Sequence, residues 1–217
     1  MTQAYQTGVW SGLINGKQTR VTRSGWADVL PRFALNVIGA PVLSPSEFQR
    51  YRAQDTAETI LGLALALQLP TGQYFSDKRI NLGGNRIAFR PQIGAMRNVG
   101  KWTMEITGMS GFFTDNDAFF NGKHLKQRPT YGTDAHLIYT FQPGLWCSGS
   151  AAYSGGGKTF VDGAGSDNRE ENIAWALSVG VPITRALGLR LSYIETRTQV
   201  GTGLDSNTFL CAFLVAW

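Results

Sequence analysis

The sequence predicts an all-β protein, an antiparallel up-and-down transmembrane β-barrel of about ten strands with one short helix in a connection. Three observations carry this expectation. Segments of roughly ten residues alternate apolar with polar or small side chains, the period of a strand, whose successive side chains point to opposite faces. Glycine supplies 26 of 217 residues and charged residues only 16%, against a usual share of ~25%, so the chain is rich in turns and poor in charge. Last, the chain ends on Asn207 to Trp217, NTFLCAFLVAW, with Phe209, Cys211, Phe213, Val215 and Trp217 on one face and only uncharged residues on the other. Such a strand at an open sheet edge invites aggregation, so it must pair on both sides. A closed ring of strands is one of two ways to satisfy the backbone in lipid.

Composition excludes several alternatives. The net charge of +5 and pI near 9.4 come from Lys and Arg dispersed along the chain without a basic run, so no nucleic-acid partner is expected. Cys147 and Cys211 are too few for a disulfide framework or a Cys-rich metal site and read as small apolar residues. No stretch approaches the ~18 apolar residues of a membrane helix, whereas Ile60 to Leu69 has a length suited to a tilted transmembrane strand, ~9–11 residues. The first ten residues, MTQAYQTGVW, lack the basic segment and apolar core of a signal peptide. A barrel bound for the outer membrane needs one, so either the start is missing from this chain or the membrane reading is wrong.

Taken in order, Ala4 to Leu13 alternates as a first strand, and the polar segment Asn15 to Ser24 follows, opened by the Asn15-Gly16 turn signal. Ala27 to Ile38 reads as a strand with Val29, Phe33, Leu35 and Val37 outward and Arg32, Ala34 and Asn36 opposed; Pro31 shifts its ordered part later. Gly39-Ala40-Pro41 stops it. Ser44-Pro45-Ser46-Glu47 has the form of a capping box, with Ser44 as N-cap, Pro45 at the first helical position and Glu47 at the third, and predicts a short helix from Pro45 to about Ala53.

From Thr59 the strands recur. Leu61, Leu63, Leu65, Leu67 and Leu69 make a leucine face backed by Gly62, Ala64, Ala66 and Gln68, small residues suited to a barrel interior. Ile87, Phe89, Ile93 and Ala95 oppose Arg86, Arg90 and Gln92. Gly100 turns the chain into Trp102, Met104 and Ile106, opposed by Thr103, Glu105 and Thr107, a hairpin. A loop from Thr114 to Thr130 leads to Leu137, Tyr139 and Phe141, opposed by His136 and Thr140. Gln142-Pro143-Gly144 turns into Leu145 to Tyr153, and a glycine-rich loop, Ser154 to Arg169, leads to Ile173, Trp175, Leu177, Val179 and Val181. Thr184 to Ala186 links to Leu187, Leu189, Leu191 and Tyr193, opposed by Arg190 and Ser192, and Val200 to Ser206 delivers the last strand. Short links near 98, 143 and 185 alternate with long loops near 78, 122, 161 and 202, as in outer-membrane barrels. A soluble sandwich would bury the same apolar faces, and periodicity does not separate the two.

The motifs Ser24-Gly25-Trp26-Ala27-Asp28, Gly39-Ala40-Pro41 with Glu47-Phe48, Leu69-Pro70-Thr71-Gly72-Gln73-Tyr74, Ile80-Asn81-Leu82-Gly83-Gly84-Asn85-Arg86, Phe113-Thr114-Asp115-Asn116, His136 with Tyr139, and Gly155-Gly156 with Val161-Asp162-Gly163 stand in this order. Together with the aromatic terminus they resemble the bacterial family labelled as a MetA pathway of phenol degradation, a family of outer-membrane barrels with transporter-like labels. The resemblance covers nearly the whole chain. It implies one barrel domain over 1–217, about twelve strands in the full family, and a signal peptide and roughly two N-terminal strands beyond this chain. It also implies a location in the bacterial outer membrane and three partners: outer-membrane lipid, the barrel assembly machinery and a small solute. The terminal residues Phe209, Phe213, Val215 and Trp217 look like the assembly signal that such machinery reads.

No chemistry of a reaction is visible. Gly157-Lys158-Thr159 would need a glycine at 152, where Ala152 stands, to complete a phosphate loop, and no helix pattern follows. Asp115-Asn116-Asp117 opens like a calcium loop, but Phe119 and Phe120 occupy the third-ligand and turn-glycine positions. His124 and His136 are too few for a three-His zinc site, and no serine lies in a nucleophile elbow. Glu170-Glu171 borders a charged loop and reads as a solvated strand entry. Hence no enzyme, no cofactor, no catalytic residue and no metal are expected. With the apolar faces outward, the inward set holds Arg32, Arg86, Arg90, Glu105, His136 and Arg190, the candidate pore lining. In an apolar-walled barrel these arginines bias passage toward anions or polarised aromatics; the plainer reading is that they pair with Glu105 and loop carboxylates and stiffen the wall. The function expected is a passive channel or transporter for small solutes, aromatic ones among them. A structural barrel without transport and a soluble ligand-binding β-barrel or sandwich are the alternatives.

Overall fold

The computed structural model describes residues 1–14, 17–41, 43–44, 47, 57–184, 186–201 and 205–215. Its first two strands, β1 (Tyr5–Ile14) and β2 (Lys17–Trp26), form a hairpin of their own. Then come β3 (Arg32–Ile38), β4 (Glu58–Gln68), β5 (Ala88–Val99) and β6 (Trp102–Phe113). The next connection contains β7 (Asn116–Phe119) and β8 (Lys123–Gln127) and leads to β9 (Thr130–Gln142) and β10 (Leu145–Gly156). β11 (Thr159–Val161) and β12 (Ala164–Gly165) lie in the following connection, before β13 (Glu170–Pro182), β14 (Leu187–Thr198) and β15 (Ser206–Val215).

Nine strands make one antiparallel sheet in the order β15-β14-β13-β10-β9-β6-β5-β4-β3. Once β7, β8, β11 and β12 are set aside, each strand neighbours the next in sequence, an up-and-down meander. Tight links join β5 to β6, β9 to β10 and β13 to β14 at one end; the connections after β4, β6, β10 and β14 all emerge at the other. At the β9–β10 turn, Gly144 takes φ 81°, the left-handed region that side chains other than glycine avoid, and a Cβ there would stand 3.0 Å from Pro182 Cβ.

Burial decides which way the apolar faces point. Among the described residues Ala88 is the one fully buried apolar side chain. Leu35 is 67% exposed, Ile93 61%, Leu177 59% and Phe209 83%, and the same outward row includes Leu63, Leu65, Met104, Ile106 and Leu137. A sandwich or soluble barrel would place these residues in a core, because water-exposed apolar area costs roughly 25 cal/mol per Å². Here they form an outer belt, while Gly62, Ala64, Gly94, Thr107, Ser150, Ala176 and Ser192 occupy the inner face, where small side chains leave room.

Two readings of the sequence are corrected. Asn15 to Ser24 is not merely a polar connection, since β2 runs from Lys17 and pairs residue by residue with β1, from Tyr5↔Trp26 to Ile14↔Lys17. Its Thr and Val residues favour extended backbone, and with both faces polar no apolar alternation marks it. The loops 114–130 and 154–169 likewise contain a four-stranded sheet, order β12-β11-β8-β7, whose strands are too short to show a period. Apart from Glu47, the expected helix from Pro45 to Ala53 lies outside the described residues, as does the Asn15-Gly16 turn. Its capping contacts are present: Ser44 N–H donates to Glu47 Oε2 at 2.8 Å, and Glu47 N–H donates to Ser44 Oγ at 3.4 Å.

Candidate functional site

All six candidate lining residues stand on the inner face, distributed over three bays. The first, of about 560 Å³, lies at the long-loop end and holds Arg86 and Arg90. The second, about 400 Å³, holds Glu105, His136 and Arg190. The third, about 320 Å³, holds Arg32 and also reaches Glu105. Strand register explains the grouping. Arg32 and Arg90 are both opposite Ala66, on its two sides, so they share one row of the sheet. Glu105, His136 and Ser150 are consecutive members of another.

The arginines are held by amides, not by acids. Arg32 Nη2 donates to Gln92 Oε1 at 3.2 Å and Arg90 Nη2 to Gln68 Oε1 at 2.9 Å. Arg86 Nη2 donates to Gln127 Oε1, and its guanidinium carbon sits 4.6 Å from the centre of the Phe113 ring. The expected pairing of these arginines with Glu105 and loop carboxylates does not occur among the described residues, whose ion pairs lie elsewhere. A glutamine carbonyl fixes the direction of the fork without neutralising it. Arg86 Nη1 and Arg190 Nε have no hydrogen-bond partner among the described residues. Burial pulls the Arg86 guanidinium down from its ordinary value, and Asp115 opposes that effect; the group remains charged at any physiological pH.

In the second bay, His136 Nδ1 lies 2.7 Å from Ser150 Oγ and His136 Nε2 lies 3.1 Å from Asp134 Oδ2. This links an acid, an imidazole and a hydroxyl. Ser150 sits mid-strand, with its neighbours committed to the β9 and β13 ladders, so no free backbone N–H pair is aimed where an oxyanion would form. The cluster is a polar stripe across β9 and β10. His124 is far from it in the small sheet, where its ring bridges Asp117 (2.6 Å) and Asp115 (3.1 Å). The hydrogen bond from Asp117 chiefly raises the His124 pKa above its usual value. No metal-holding group of His, Cys, Asp and Glu occurs among the described residues.

Sequence reasoning missed the groups that brace the long-loop end. Asp28, only 4% exposed, accepts from Gly72 N–H (2.9 Å), Gly84 N–H (2.8 Å) and Gln68 Nε2 (2.7 Å). The cradle tolerates no side chain at Gly83, where a Cβ would lie 2.8 Å from Asp28 Oδ1. Asn116, 2% exposed, donates to Tyr74 Oη and Gly84 O and accepts from Asn85 Nδ2 and Ala118 N–H. Both residues belong to the short motifs quoted above, but nothing in their spacing marks them as buried. At the terminus, Phe209, Phe213 and Val215 point outward at 83%, 66% and 62% exposure, and Trp217 lies outside the described residues.

An outward apolar belt around a polar, arginine-bearing inner face on an up-and-down meander defines the fold of a transmembrane β-barrel protein. The family model described as "Putative MetA-pathway of phenol degradation" matches residues 3–206, and the chain belongs to this family. In solved structures it is similar to an outer membrane channel from Pseudomonas putida F1, with a TM-score of 0.72 and 24% identity over 90% of this chain and 68% of that one. At that identity the likeness establishes the fold. No curated protein matches the sequence.

Proposed function

We propose that this protein is a bacterial outer-membrane channel that passes small solutes passively, aromatic ones among them, and is not an enzyme. The observation that carries the reading is the division of the sheet into two faces: exposed apolar side chains outside, and charged side chains standing over bays inside. In lipid the outer belt is matched to hydrocarbon, and Arg32, Arg86, Arg90, Glu105, His136 and Arg190 then line the lumen, where such charges set selectivity. The partners follow from this reading: outer-membrane lipid against the belt, the assembly machinery reading Phe209, Phe213, Val215 and Trp217, and a solute in the bays. Among the described residues the inner arginines have no carboxylate partner, which favours a conducting role over a purely bracing one.

Fractionation of cells expressing the full-length protein tests the location. The protein is expected with the outer membrane, to run differently on gels before and after boiling, and to give discrete conductance steps in planar bilayers. Recovery as a detergent-free periplasmic protein would refute the reading, and a folded, membrane-embedded protein without conductance would favour the structural alternative.

A further inference from the structure

The bay at the long-loop end has the parts of a binding site and not only of a charged wall. Arg90 is open to it and uses one nitrogen on Gln68, so the rest of its fork has no protein acceptor among the described residues. Arg86 is braced by Gln127 and lies against Phe113, and all five side chains line the same bay. A guanidinium fork offers two parallel donors that match a carboxylate. Its flat face, like that of an aromatic ring, accepts another ring in a stack. The charges also count. Among the residues that line the bay, Arg86 and Arg90 give two positive charges and Glu170 one negative, leaving one in excess, which suits a single anionic group better than two. At about 560 Å³ the bay lies within the range of small-ligand sites, roughly 300–1,000 Å³.

We propose that this bay binds aromatic monocarboxylates in transit, with Arg90 holding the carboxylate and the Arg86–Phe113 stack taking the ring. Gln68 and Gln127 act as positioning residues, because each directs an arginine fork without cancelling its charge. The proposal rests on the channel reading for its role in transport, but the site itself stands on the geometry of the bay.

The test uses the purified full-length protein with three probes: benzoate, cyclohexanecarboxylate, which keeps the charge and loses the ring, and phenol, which keeps the ring and is neutral at pH 7. Chloride current is recorded in planar bilayers, and binding is measured by titration calorimetry in detergent. Benzoate is expected to bind and to block the current at a lower concentration than cyclohexanecarboxylate, with phenol without effect at the same concentration. Arg90→Gln is expected to weaken benzoate about tenfold, the loss of one charge-assisted contact. Arg86→Lys, which keeps charge and removes the planar face, is expected to narrow the gap between benzoate and cyclohexanecarboxylate. Arg90→Lys serves where the glutamine variant does not fold, and should retain benzoate binding at reduced strength. Equal response to the two carboxylates, or benzoate binding indifferent to both arginines, overturns the proposal. Conductance with no benzoate binding or block leaves the channel reading standing and removes the site. Benzoate binding without conductance does the reverse, and loss of both removes both.

Discussion

Asp28 gathers segments that are distant in sequence, because one carboxylate takes donors from the end of β4, from Gly72 and from Gly84. Asp28→Ala leaves three donors, the half-buried N–H groups of Gly72 and Gly84 and Gln68 Nε2, without their acceptor and is expected to lower stability by about 3 kcal/mol. Equilibrium urea unfolding in phospholipid vesicles measures this, with Asp28→Asn falling between, since an amide keeps one acceptor oxygen. A change within experimental error would show that water replaces the carboxylate. His124 makes a pH-dependent contribution of known sign. Its folded pKa is raised, chiefly by Asp117, so the stabilisation is complete below the unfolded value of about 6.5 and is lost as pH rises through the folded value. The ring resonances of His124 should titrate above those of a model imidazole, and Asp117→Asn should bring them down; an unshifted midpoint would count against the pairing. The inner arginines were legible because alternation alone sets them opposite apolar residues. Their glutamine partners were not, because an amide on a strand gives no sign of which cation it will reach.

Elements differ in legibility for a single reason, whether one face is apolar. β4, with leucine at every second position from Leu61 to Leu67, announces both its extent and its direction of facing. β2 has polar residues on both faces, and β7, β8, β11 and β12 have two to five residues each, fewer than a period needs. The sequence also left open whether the leucine face met lipid or a protein core, and the exposure of Leu63 and Leu65, 48% and 38%, decides it. Leu65→Arg is therefore expected to cost about 2–4 kcal/mol in a bilayer, while Ala64→Arg, one residue away and lining an inner bay, should cost much less. Folding both variants into vesicles and comparing urea midpoints tests the facing of β4; equal costs would contradict it.

At the scale of the whole molecule the strand count determines how the sheet can close. Each of the nine strands runs antiparallel to its neighbour, so the two edges, β3 and β15, run in the same direction. Closing β3 onto β15 directly would require a parallel pair in an otherwise antiparallel ring, and leaving both open in lipid would strand two rows of backbone N–H and C=O groups. An odd number of further strands removes the conflict. The hairpin ladder shows where one fits: Thr2 bridges Leu30, and Val29 bridges Leu69, so a strand arriving at Thr2 from the short-turn end would rise along the free edge of β3, antiparallel to it. Amide exchange in a bilayer then distinguishes the arrangements. With an amphipathic strand placed ahead of Thr2, the amides of β3 and β15 should exchange as slowly as those of β9 and β10. Without it, they should exchange faster than the central strands. Equal protection at both edges in the absence of that strand would mean that β3 and β15 pair directly, and the antiparallel closure would be wrong.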